Sequence, residues 1–99
     1  MTTITEPPRH LGAEAKRLWR ELLDEFVLDD AAGLALLQTA VEAWERAQDA
    51  RKTLKREGVI ITDRFGQLKA HPAGAIERDA RGQFMAAMRA LKLEPGDNA

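Results

Sequence analysis

Apolar positions in the first quarter of the chain recur every three or four residues: Leu11, Ala15, Leu18, Leu22 and Phe26, with Trp19 and Leu23 widening the stripe. That is the period of a helix with one face turned to a core, and it predicts a first helix from about Gly12 to Val27. Asp29 or Asp30 suits the N-cap of a second helix, because its carboxylate can accept orphan backbone N–H groups. This helix is expected to run to about Glu57, with Gly58 as its stop. The period then changes. Val59-Ile60-Ile61-Thr62 is β-branched and reads as a strand. Asp63-Arg64-Phe65-Gly66 turns it back into Gln67-Leu68-Lys69-Ala70. Pro72 opens a third helix, since a proline fits the first helical position. Its apolar positions are Ala73, Ile76, Ala80, Phe84, Ala87 and Leu91, and Leu93-Glu94-Pro95-Gly96 ends it.

The second helix carries two apolar faces. Leu34, Leu37, Val41 and Trp44 share one; Leu36, Ala40, Ala43, Ala47, Ala50 and Leu54 share another, rotated by roughly 100°. Together they cover about half the circumference of a helix spanning about 42 Å. The large residues suit a domain core. The small ones, Ala40, Ala43, Ala47 and Ala50 with Leu54, permit close approach of another backbone and are expected to face a second copy of the chain. Helix propensity alone is the other explanation of the alanines.

A length of 99 residues allows one small domain. The expected organisation is an N-terminal arm over residues 1–10, a mainly α domain over 11–93 with its hairpin at about 59–70, and a polar tail over 94–99. An apolar fraction of 44% and a charged fraction of 31% are globular values. No apolar run reaches the roughly 20 residues of a spanning helix, and the N-terminus lacks the pattern of a signal peptide. Without cysteine there is no disulfide framework or thiolate metal site. These features lead to the expectation of a soluble intracellular protein with no membrane contact.

A net charge of −1 hides an uneven distribution. Residues 1–30 are rich in acids, including Glu14, Glu21, Asp24, Glu25, Asp29 and Asp30, whereas residues 46–81 are rich in Arg and Lys. This suits nucleic acid on the basic side, and equally suits head-to-tail packing of copies. The run Arg51-Lys52-Thr53-Leu54-Lys55-Arg56 lies in the last turns of the second helix, where cations also complement the dipole. With Arg64 and Lys69 on the hairpin it exceeds that need. Arg51, Lys52, Lys55, Arg56, Arg64 and Lys69 are the candidate phosphate contacts, a kind that sets affinity and salt dependence rather than base choice.

No catalytic constellation is present. The chain has no serine or cysteine, its threonines lack an evident base, and its glycines form no phosphate cradle. His71, beside Pro72, is placed to cap a helix or to point outward. Trp19 and Trp44 lie on apolar stripes and read as core anchors. Phe65, at the turn, either docks on a neighbour or folds back. Neither a cofactor nor a metal is expected, and the chain does not read as an enzyme.

With these pieces placed, nearly the whole chain, from about Pro7 to Leu93, resembles the small subunit of phage DNA-packaging terminases of the type common in siphophages and prophages. The resemblance rests on Pro7-Pro8 followed by Leu11, Ala15 with Leu18-Trp19, Asp29-Asp30, Ala43-Trp44-Glu45-Arg46-Ala47 and Gly58. Most specific is Asp63-Arg64-Phe65-Gly66 followed by Lys69-Ala70-His71-Pro72-Ala73; Leu91-Lys92-Leu93 and Pro95 match the usual ending. His71 stands where relatives often carry Asn, and the acidic tail lacks the basic ending of many relatives. The resemblance implies a non-enzymatic ring oligomer in the cytoplasm of the bacterial host. Its implied partners are double-stranded phage DNA, the large terminase subunit and itself. A dimeric helix-turn-helix regulator is the alternative, permitted by the short link Leu28-Asp29-Asp30, although two carboxylates at the start of a recognition helix would be repelled by DNA. A protein-only adaptor is a third reading, separated from both by salt-sensitive DNA binding.

Overall fold

The computed structural model describes residues 5–93; the expected polar tail over 94–99 and the first four residues of the expected arm lie outside the described residues. Three helices and one hairpin follow in order: α1 (Ala13–Glu25), α2 (Ala31–Glu57), β1 (Ile60–Thr62), β2 (Leu68–Ala70) and α3 (Pro72–Leu91). The expected fold class is the observed one.

Local chemistry sets the boundaries. Asp30 is extended, and its carboxylate accepts the Gly33 N–H at 3.3 Å, so Asp30 rather than Asp29 is the cap of α2. The start of α1 has no side-chain cap of its own. Glu45, midway along α2, fills that role from outside, its Oε2 accepting the Gly12 N–H at 2.6 Å. Phe26 is already extended, and α1 stops two residues before the Val27 expected from the pattern. At the end of α3, Lys92 adopts a left-handed conformation, φ 61°, and the Leu93 N–H reaches the Met88 carbonyl at 2.9 Å. This six-to-one closure turns Leu93 into the core.

The large-residue core lies at one end. Leu11, Ala15, Trp19, Leu22, Leu37, Val41 and Leu93 are buried together, where α1 and the end of α3 meet the first half of α2. Phe26, Leu34, Trp44 and Met88 pack around them. Trp19 is thus the core anchor its position predicts, while Trp44 is only half-buried.

The other end is built differently and corrects the expectation for the alanine face. Ala40, Ala43, Ala47 and Ala50 are buried within the single chain, and Leu54 is half-buried. Their cover is α3, which runs antiparallel to α2: Arg46 donates to Gln83 Oε1 at 2.7 Å, and Arg51 to Glu77 Oε2 at 3.1 Å. The buried positions of α3 are also alanines: Ala73, Ala80 and Ala87. Small side chains on both helices let the two backbones approach closely, so the alanines that were expected to meet a second copy meet the chain's own third helix. Ile76, one of the apolar positions of the third helix, is exposed. The molecule is consequently elongated, 62 × 32 × 20 Å, with a radius of gyration of 16.7 Å where a compact domain of 100 residues has about 13 Å.

Candidate nucleic-acid interface

The hairpin leaves α2 through Gly58, at φ 88° and ψ 160°, a backbone region open in practice only to glycine. Strands β1 and β2 pair antiparallel, Ile60 with Ala70, Ile61 with Lys69 and Thr62 with Leu68. At the tip, the Asp63 Oδ1 accepts the N–H groups of Phe65 at 2.8 Å and of Gln67 at 2.9 Å. The Gly66 N–H closes the turn onto the Asp63 carbonyl at 3.0 Å, with Gly66 at φ 78°. The Asp-Arg-Phe-Gly sequence is thereby explained: Asp63 ties the loop, Gly66 supplies the left-handed position, and Arg64 and Phe65 are left outside. Phe65 does not fold back. It is 74% exposed, with the Arg64 guanidinium 5.0 Å above its ring.

The hairpin returns to the helices through His71. Its Nδ1 accepts the Ala73 N–H at 2.9 Å, capping α3, and its Nε2 lies 2.8 Å from Glu57 Oε1. Because Nδ1 is an acceptor, the ring proton belongs on Nε2, donated to Glu57. One imidazole therefore staples the end of α2 to the start of α3. An asparagine here could still supply the cap. The hydrogen bond from His71, and then that from Arg56, hold the Glu57 carboxyl below its ordinary value of 4.5. A carboxylate with a lowered pKa stabilises the fold at pH values above the ordinary one, and that contribution is lost on acidification. The Glu57→Gln variant is therefore expected to lose stability less steeply than the wild type as pH falls below 4.5; chemical denaturation across that range reads the difference.

The six candidate basic residues lie in the last turns of α2 and on the hairpin that follows it, in different surroundings. Arg51 is committed to Glu77, which also accepts from Arg81 Nε at 3.1 Å. Lys52 lies 3.7 Å from Glu14 of α1, and Arg56 is 2.8 Å from Glu57. The Lys52 and Arg56 pairs are exposed and worth little, so they yield readily to a stronger anion, whereas the half-buried Glu77 holds Arg51 more firmly. Lys55, Arg64 and Lys69 are exposed and form no ion pair among the described residues. On α2, Lys52 and Arg56 share one row and Arg51 and Lys55 the next, presenting a doubled line of cations one helical turn long.

Small-molecule chemistry finds less support. A shallow cleft of about 260 Å³ lies between the start of α1 and α2, but Glu45, bound to Gly12, forms part of its lining, and its volume is below the roughly 300 Å³ at which ligand pockets begin. No helix among the described residues is long and apolar enough to cross a membrane.

The Ala-Trp-Glu-Arg-Ala stretch on α2 also acquires a physical meaning: Trp44 packs on the core, Glu45 caps α1, and Arg46 binds α3. A sequence model of the phage terminase small subunit matches residues 13–99, a span from the first residue of α1 to the end of the chain. No curated protein and no solved structure matches the chain. The helical fold with its inserted hairpin, and a family match over most of the length, lead to one conclusion: the chain belongs to the phage terminase small-subunit family.

Proposed function

We propose that the chain is the non-catalytic DNA-recognition component of a viral packaging motor, acting in the cytoplasm of the bacterial host. In this reading it assembles into a ring, contacts double-stranded genome DNA and regulates the large subunit that carries the ATPase and nuclease. Members of the family are generally non-catalytic. The single observation that carries the DNA reading is the doubled row of α2 cations, followed by Lys69 on the hairpin, with Lys55 and Lys69 unpaired among the described residues. Such a surface neutralises phosphates without reading bases.

The helix-turn-helix alternative has less to stand on. The first turns of α2, which would enter the groove, present Ala31, Ala32 and Ala35 behind Asp29 and Asp30, all exposed. They offer no long hydrogen-bonding side chain at the positions a recognition helix uses.

The test is duplex binding measured over a range of salt. Lys52→Ala with Lys55→Ala removes two exposed cations and leaves the core intact. The expected outcome is a slope of log affinity against log salt that is shallower by about 2, since each phosphate contact contributes about 0.9. Affinity at low salt should fall by about 10- to 100-fold. An unchanged slope would remove the DNA reading and favour a protein-only adaptor.

A further inference from the structure

The hairpin has an apolar face that none of the described residues covers. The pairing register puts Ile60, Thr62, Leu68 and Ala70 on one side of the two-stranded sheet and Ile61 and Lys69 on the other. Ile61 is half-buried, whereas Ile60 is 54% and Leu68 76% exposed. Phe65, at the tip, extends the same exposed end. A solvated patch of Ile, Leu and Phe on so small a sheet marks an interaction surface, and DNA is a poor occupant for it, because a phosphate backbone wants cations and hydrogen-bond donors.

At the opposite end of α2, about 40 Å away for its 27 residues, stands a second unfilled apolar group. The link between α1 and α2 is extended at Phe26, so side chains alternate: Phe26 and Leu28 pack on the core, and Val27 between them is 88% exposed. Around it in sequence are the exposed carboxylates Asp24, Glu25 and Asp29.

We infer that copies of the chain join head to tail, the hairpin face of one seating on the Val27 corner of the next. Charge selects this pairing. Arg64, at the tip over Phe65, brings positive charge to the hairpin and the corner is negative, so unlike ends attract, while two hairpins or two corners would set like charges together at a cost. A contact between two different patches is heterologous and propagates, closing into a ring when the angle permits. The inference rests on the reading of the chain as a self-assembling packaging subunit and gives that assembly a location and a polarity. It also divides the cations: Arg64 meets the neighbour, while Lys69, on the other side of the sheet, stays with the α2 row on the DNA side.

The experiment is solution mass of the full chain without DNA, by native mass spectrometry and light scattering, on the wild type and two charge-reversed forms. One reverses the hairpin tip (Arg64→Glu) and the other reverses the corner (Asp24→Lys with Asp29→Lys). All three positions are exposed, and circular dichroism confirms that each variant is folded. The wild type should give a species several times the 11.0 kDa chain. Each variant alone should fall to monomer, with association weaker by about 100-fold or more. Mixed, the two should associate again, because each then finds an opposite charge on the other. Assembly of the corner variant alone would mean a hairpin-to-hairpin contact and would overturn the inference. So would a wild type that stays monomeric at micromolar concentration, which would leave the apolar face to a different protein. The α2 double-alanine variant keeps the two readings apart: it should assemble like the wild type and bind DNA less well.

Discussion

The Ala47→Glu variant should fail to fold. Ala47 is buried where α2 faces α3, among positions that are alanines on both helices. A glutamate there needs space that only separation of the helices can provide. Its carboxylate would also be buried with no partner, a cost of several kcal/mol. A chain of this size holds a folding margin of about 5–15 kcal/mol, so the thermal midpoint should drop by about 15–30 °C or the cooperative transition should disappear. Ala86→Glu on the exposed side of α3 is the matched control and should stay within about 0.5 kcal/mol of the wild type. Circular dichroism melts of both proteins read the contrast. A folded Ala47→Glu protein that has lost only its self-association would instead place this face between subunits.

Trp19→Ala should produce the second large loss, about 3–5 kcal/mol. Trp19 is the largest buried side chain of α1 and lies at the meeting point of Leu11, Leu22, Leu37, Val41 and Leu93. Removing the indole leaves a cavity bounded by three separate elements. Trp19→Phe isolates the packing component. It retains an aromatic ring but gives up the long 3.4 Å hydrogen bond from Nε1 to the Thr5 carbonyl, for about 1 kcal/mol. Urea denaturation of the three proteins should rank them wild type, Phe, Ala, with the larger step between the last two. A step of equal size at Trp19→Phe would show that the polar contact, not the bulk, holds the helix.

The elements were legible because each boundary has a local cause. Asp30 caps α2, Gly58 takes a backbone conformation other residues avoid, Pro72 starts α3, and Asp63 with Gly66 shapes the tip. What a period cannot say is which face meets which. The alanines of α2 invite a close neighbour, and the sequence leaves open whether that neighbour is the same chain or another. The missing half of the signal was present: Ala73, Ala80 and Ala87 stand seven residues apart on α3, a matching small-residue stripe. Ile76 lies beside that stripe and stays exposed.

The candidate site was legible in composition but not in pairing. Nothing in the neighbourhood of Arg51 announces that Glu77, a strand pair and a helix turn later, will occupy it. The same holds for Glu45, which looks like one more surface acid yet holds the first turn of α1. Both are contacts across the chain, and a local reading sees only the residue. His71 lies between these cases: its place before Pro72 suggests a cap, and its second bond to Glu57 emerges only when the hairpin brings the helix ends together.

The hairpin's shape and its direction are set by different residues. Asp63 fixes the tip by bonds within the loop alone, so the exposed face keeps its form whatever the body does. Its direction is set at two joints, Gly58 on the way out and His71 on the way back, with the His71 N–H bound to the Val59 carbonyl at 2.8 Å beside them. Hinges absorb change in just such terminal positions. In a ring built through this hairpin, the curvature, and with it the number of subunits that close the circle, is written in the dihedral angles of two residues.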